Sequence, residues 1–159
     1  MLPHIKTIIY ASDLGEKTRP NFNMAAILAK GQGAKIICVH VIEPLPDHIH
    51  SLIGDNLEKS KIDRSYAENI KAKEKMLLDR IETFFKDEFS DKDITFTSEA
   101  RVLKGQVEDV ILSVAKKENA DLIIMGSRTH STLGRFMLGS SATKLIHTSV
   151  VPVLVIPIN

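Results

Sequence analysis

Cysteine is nearly absent from this chain, tryptophan is absent altogether, and neither sign of charge dominates. The one cysteine, Cys38, has no partner for an internal disulfide, which fits a reducing compartment. Lys and Arg number 21 against 20 Asp and Glu, a net charge of +1. A nucleic-acid or membrane-surface protein would carry a basic excess, so neither partner is expected. No apolar run approaches the length that spans a bilayer. No apolar leader follows a basic start, because Met1-Leu2-Pro3-His4 leads straight into a strand pattern. A soluble cytoplasmic protein is the expectation.

The 159 residues, 43% apolar and 26% charged, suit one domain over 1–159 with a sizeable core. Short β-branched runs alternate with longer helical patterns. Ile5–Ala11 reads as the first strand and Asn21–Lys30 as a helix, whose Ala25, Ala26 and Ala29 permit close packing. Gly31-Gln32-Gly33 stops that helix. Ala34–Ile42 is nearly continuous in apolar residues, as in a strand buried on both faces. Glu43–Ser60 is polar and broken by Pro44, Pro46 and Gly54, and reads as a loop. Ile62–Phe89 has the periodicity of one long amphipathic helix whose apolar stripe is core. Ile94–Leu103 is a less apolar strand, expected nearer an edge. Helix Val107–Asn119, strand Leu122–Met125, helix Ser140–Thr148 and strand Val151–Ile156 complete the series. The alternation predicts an α/β fold: an open five-stranded parallel sheet, order 3-2-1-4-5, with helices on both faces.

In such sheets ligands bind beyond the carboxyl ends of the strands, where the strand order reverses. Strands 1 and 4 flank that point. Strand 1 ends at Ala11-Ser12-Asp13 and strand 4 at Met125-Gly126. From Gly126 the chain runs through a Gly/Ser-containing loop to Gly139-Ser140-Ser141-Ala142 at a helix start. Free N–H groups and the positive end of the helix dipole suit a phosphate there. An acidic side chain at Asp13 suits ribose hydroxyls, and Val41-Ile42 ends strand 2 within reach of an adenine face.

Blander readings stand beside these. Gly126 can simply end a strand, and Asp13 can cap the first helix. Arg128, Arg135 and Lys144 can be solvated charges. Gly15-Glu16-Lys17-Thr18 fails as a Walker A loop, because Glu16 separates Gly from Lys and Tyr10 stands where the leading glycine should be. His48 and His50 lack a third metal ligand at a usual spacing and read as loop histidines. His40, at a strand end, reads as packed rather than catalytic, and Cys38 as a buried inert thiol.

The chain resembles the universal stress proteins. The likeness rests on Asp13 at the end of strand 1, His40-Val41-Ile42 ending strand 2, Gly105 before the third helix, and Pro152-Val153-Leu154-Val155-Ile156-Pro157. Nucleotide-binding members carry Gly, two residues, Gly, nine residues, Gly, then Ser or Thr. Gly126, Gly139 and Ser140 stand in that register, while Thr129 occupies the middle glycine position. The resemblance implies that Asp13 binds ribose or adenine with Ala11 and Ser12 beside it, and that Val41 contacts adenine. Gly126, Gly139 and Ser140, extended by Ser141 and Ala142, would line the phosphates. Met125 would border the site, and Arg128 and Thr129 would follow the ribose-phosphate path.

The implied ligand is ATP or a related adenine nucleotide, with or without Mg²⁺. The implied role is that of a stress-related regulator rather than a dedicated enzyme, with at most slow ATP hydrolysis. The alternative is a member that binds no nucleotide and acts only through protein contacts. An adenylyl-transferring enzyme is disfavoured, since neither His-x-Gly-His nor Ser-Gly-Gly-x-Asp-Ser occurs. Val151–Ile156 is apolar apart from Pro152 and carries no charge, so a homodimer through this strand is expected, as in many members of that family.

Overall fold

The computed structural model describes residues 4–15, 19–44, 56–88, 96–127 and 138–157. Its elements run β1 (Thr7–Ala11), α1 (Arg19–Gln32), β2 (Lys35–Ile42), α2 (Asn56–Glu88), β3 (Thr97–Lys104), α3 (Val107–Lys117), β4 (Leu122–Gly126), α4 (Ser140–Thr148) and β5 (Val153–Ile156). The five strands form one sheet in the order β3-β2-β1-β4-β5, and every neighbouring pair is parallel. The expected architecture and strand order are therefore observed, with β3 and β5 at the edges.

The three inner strands are apolar at successive positions, so both faces of the sheet must be covered. Ile8, Ile9, Ile36, Ile37, Ile123 and Ile124 are all 0% exposed. Burying each such side chain contributes about 1.5–3 kcal/mol. Ile8, Ile36 and Ile124 pack with α1 and α2, through Phe22, Leu77, Ile81 and Phe84 among others. Ile9, Ile37 and Ile123 pack on the other face with α3 and α4, through Ile111, Val114 and Leu145. The chain thus covers one face with its first two helices and the other with its last two. The reversal of direction falls between β1 and β4.

Local chemistry holds the ends in place. Gly33, at φ +65°, closes α1, and Ala34 N–H returns to Ala29 O at 3.0 Å. This left-handed glycine cap satisfies carbonyls that the helix end would otherwise leave open. Asn119, at φ +50°, closes α3 in the same way, with Ala120 N–H on Ala115 O at 2.8 Å. The chain then turns directly into β4 through Asp121. That carboxylate accepts the N–H groups of Lys6 at 2.7 Å and Thr7 at 3.0 Å, fixing β4 against β1.

Several element ends differ from the sequence reading. Helix α2 starts at Asn56, inside the segment read as loop. Its first turns are polar, and Ser60 and Lys61 are exposed, so they carry no apolar periodicity from which to read a start. β5 begins at Val153 rather than Val151, because Ser149 Oγ accepts Val151 N–H at 3.0 Å and turns the chain before Pro152. β3 sits between Thr97 and Lys104, and the expected start at 94 lies outside the described residues. Lys35, Glu99, Arg101 and Glu118 form a connected ion-pair network that ties β2, β3 and the end of α3 together.

Candidate functional site at the β1/β4 reversal

Ala11 and Met125 are direct partners in the β1–β4 ladder, so the ends of the two strands lie side by side. Ala11, Val41, Met125 and Ala142 share the apolar cluster on the α3/α4 face. Four residues from four elements are thereby brought together, an apolar bed beside the start of α4. Gly126 ends β4, and Ser127 N–H bonds Ile156 O at 2.9 Å.

Helix α4 opens at Gly139 with no side-chain cap. Its first internal bond runs from Thr143 N–H to Gly139 O at 2.9 Å. The N–H groups of Ser140, Ser141 and Ala142 are left without a helical partner, as the first turn of any α-helix requires. Gly139 itself sits at φ −59° and ψ 154°, backbone that any residue adopts. The helix start does not demand glycine for its conformation. What glycine supplies there is the absence of a Cβ next to three donors with no partner among the described residues, the arrangement that lets an anion approach. Lys144, one turn further on, is tied to Glu108 of α3 and is not a free counter-charge for the loop. The hydrogen bond from Lys144, with its charge, holds the Glu108 carboxyl below its ordinary value.

The turn after β1 is more constrained than its sequence suggests. Ser12 N–H bonds Val39 O at 2.8 Å, and the Ser12 hydroxyl accepts Leu14 N–H at 3.2 Å. Asp13 Oδ1 accepts Gly15 N–H at 2.8 Å. Leu14, the next residue, has a left-handed rather than helical backbone, so Asp13 opens no helix; the carboxylate closes its own two-residue turn instead. Leu14 stands at φ +57°, uncommon for a residue with a branched side chain. Arg80, far along α2, donates from Nη1 to Leu14 O at 2.7 Å and Gly15 O at 3.0 Å. His40, protonated on Nδ1, donates to Ser12 O at 2.8 Å. Two distant side chains therefore hold the turn that carries Asp13.

Sequence reading missed Leu14 and Arg80 as parts of the turn that carries Asp13. It placed His40 as packed but gave it no partner. No local pattern marks Arg80, since its contact spans 66 residues. Ser12 is buried with its hydroxyl already engaged, so it serves the turn. Arg128, Thr129, Arg135, His48 and His50 lie outside the described residues. Cys38 is fully buried, and burial, followed by the charge of Glu99, pushes its thiol far up, which makes it inert. Among the described residues no helix is long and apolar enough to cross a membrane, and no cluster of His, Cys, Asp or Glu is placed to hold a metal ion.

A doubly wound sheet with a helix N-terminus at its point of reversal defines a protein class built around small-ligand crevices. The chain belongs to the universal stress protein family, whose model matches residues 4–157. It is 30% identical over 151 residues to a universal stress protein of Thermus aquaticus, covering 95% of this chain and 98% of the relative. The universal stress protein UspA from Lactobacillus plantarum has the same fold, with a TM-score of 0.74 at 15% identity, over 98% of this chain and 99% of that one. A universal stress protein solved in complex with cAMP matches with a TM-score of 0.65 at 18% identity, over 99% of this chain and all 100% of that one.

Proposed function

We propose that this chain is a stress-related regulator that binds an adenine nucleotide at the β1/β4 reversal. The observation that carries the reading is the start of α4. Three N–H groups there lack partners among the described residues, and a glycine stands beside them that the backbone conformation does not require. Ala11, Val41 and Met125 offer an apolar bed of the kind an adenine ring needs. Asp13, fixed by its turn, is the acidic group for ribose hydroxyls. Gly126, Gly139, Ser140, Ser141 and Ala142 carry the phosphates, and Arg128 and Thr129 complete the path. The solved complex with cAMP supports the reading, since the same fold there accommodates an adenine nucleotide. ATP, with or without Mg²⁺, is the first nucleotide to test.

The role is regulatory. Among the residues assigned to the nucleotide Asp13 is the only carboxylate, which supports at most slow hydrolysis. The protein works in the cytoplasm as a homodimer through β5, whose outer edge has no strand partner among the described residues and whose flank carries Val150, 99% exposed.

The test is the absorbance spectrum and mass of any small molecule released on denaturation, followed by calorimetry with ATP, ADP and AMP on ligand-free protein. Absence of heat with all three, with and without Mg²⁺, would sink the reading. It would favour a member that acts through protein contacts alone, the second reading that Thr129 supports. Thr129→Gly is expected to tighten ATP binding by about 1 kcal/mol if the loop needs a positive φ there. Looser binding would make the threonine hydroxyl a ligand contact.

A further inference from the structure

A cavity of about 720 Å³ opens on the α1/α2 side of β1, the face of the sheet opposite the start of α4. Its floor is Tyr10, Phe22, Leu77, Ile81 and Phe84, all buried. Phe22 stands edge-on to both Tyr10 and Phe84, at centroid separations of 5.4 and 4.7 Å. Interlocked aromatic rings of this kind hold their positions and do not fold into the space above them. The volume falls inside the range of small-ligand sites, about 300–1,000 Å³.

The lining has little to offer a polar ligand body. Ser12 Oγ accepts Leu14 N–H at 3.2 Å and Thr83 Oγ1 donates to Asp79 O at 2.8 Å, so both hydroxyls are held against the backbone. The charged groups, by contrast, are mostly of one sign. Arg19, Lys75 and Arg80 line the cavity against one carboxylate, Asp79, among the described residues. Arg19 is engaged by Asp87 at 3.0 Å. Arg80 spends only Nη1 on the Leu14 and Gly15 carbonyls, so its Nη2 and Nε have no hydrogen-bond partner among the described residues. Lys75 makes no ion pair among the described residues. A guanidinium with two donors to spare matches a carboxylate's two oxygens.

We infer that this cavity is a second ligand site, separate from the crevice at α4, and that it takes a medium-length aliphatic carboxylate. The chain lies over the aromatic floor, and the head group meets Arg80 and Lys75. Ser12 and Gly15 of the β1–α1 turn border the cavity, but no backbone donor of α4 and no side chain of its apolar bed lines it, so the inference does not depend on nucleotide binding.

The test is calorimetric titration of the intact protein with decanoate below its micelle concentration, with decanol as the uncharged match. One decanoate per chain is expected, and decanol at least tenfold weaker. Ala72→Trp, at an exposed lining position on α2, fills the cavity and should abolish binding. Arg80→Gln should weaken binding about tenfold. Because Arg80 also holds the β1–α1 turn, exposed Lys75→Gln serves as the variant that cannot fail through folding, and should weaken binding several-fold. Decanoate affinity should be the same with saturating ATP present. No heat with decanoate, equal affinity for acid and alcohol, survival of binding in Ala72→Trp, or displacement by ATP would each overturn the proposal.

Discussion

Replacing Gly139 with valine separates the conformational from the ligand-binding role of this residue. At φ −59° and ψ 154° a β-branched side chain is unstrained, so the backbone has no reason to move. Glycine is a fair residue to precede a helix and valine a poor one, a difference of about 1 kcal/mol. For a chain of this length that shifts the melting midpoint by about 2–4 °C. The new side chain, however, stands beside the N–H groups of Ser140, Ser141 and Ala142, where the proposed phosphate sits. A hydrogen bond to a charged group contributes about 1.5–3 kcal/mol, so excluding even one to two of them removes about 3 kcal/mol. That is a loss of more than about a hundredfold in affinity. Thermal unfolding without nucleotide and calorimetry with ATP measure the two quantities on the same samples. Unchanged affinity in a folded Gly139→Val variant would refute the phosphate assignment. A fall in melting midpoint of about 10 °C or more would show instead that glycine serves the helix start itself.

Three further outcomes follow from the fold. Gly105 stands at φ +148°, and a Cβ there would lie 2.7 Å from Val110 Cγ2, so Gly105→Ala should destabilise by about 1–3 kcal/mol in urea unfolding. Stability should drop in acid through the β3 network. The Arg101 hydrogen bond, with the charges of Arg101 and Lys35, lowers Glu118; burial opposes the same shift at Glu99, but hydrogen bonds from Lys35 and Arg101 outweigh it. Both folded values lie below the ordinary 4.5, so this stability is present above pH 4.5 and is lost as pH falls through the lowered values. Glu118→Gln should flatten that part of the unfolding profile, and an unchanged slope would count against the network. Val153→Lys and Val155→Lys should each shift a dimer toward monomer in light scattering; both side chains are half-buried against the α3/α4 face, so circular dichroism must confirm that the variants fold. A dimer untouched by either lysine would exclude β5 as the interface.

The alternation of apolar runs with amphipathic stretches was enough to determine a parallel sheet covered on both faces; the order 3-2-1-4-5 was the doubly wound arrangement assumed for it, and the structure has that order. The covered parallel sheet is legible because a strand buried on both faces must be apolar at consecutive positions, as at Ile8-Ile9, Ile36-Ile37 and Ile123-Ile124, and few connections satisfy right-handed crossovers. The same order puts Gly126 at the end of β4, Gly139 at the start of α4 and Asp13 just beyond β1, which is where the structure has them. The start of α2 was not legible, since solvated polar turns leave no periodic trace. Nor was the role of Asp13, because capping a helix and closing a local turn call for the same residue type. Only the tertiary structure decided that Arg80 and His40 hold the β1–α1 turn, that Leu14 adopts a left-handed backbone there, and that an aromatic-floored cavity lies behind it. These depend on contacts between residues 28 and 66 positions apart, where the packing of α2 and β2 rather than any local pattern sets which side chain arrives.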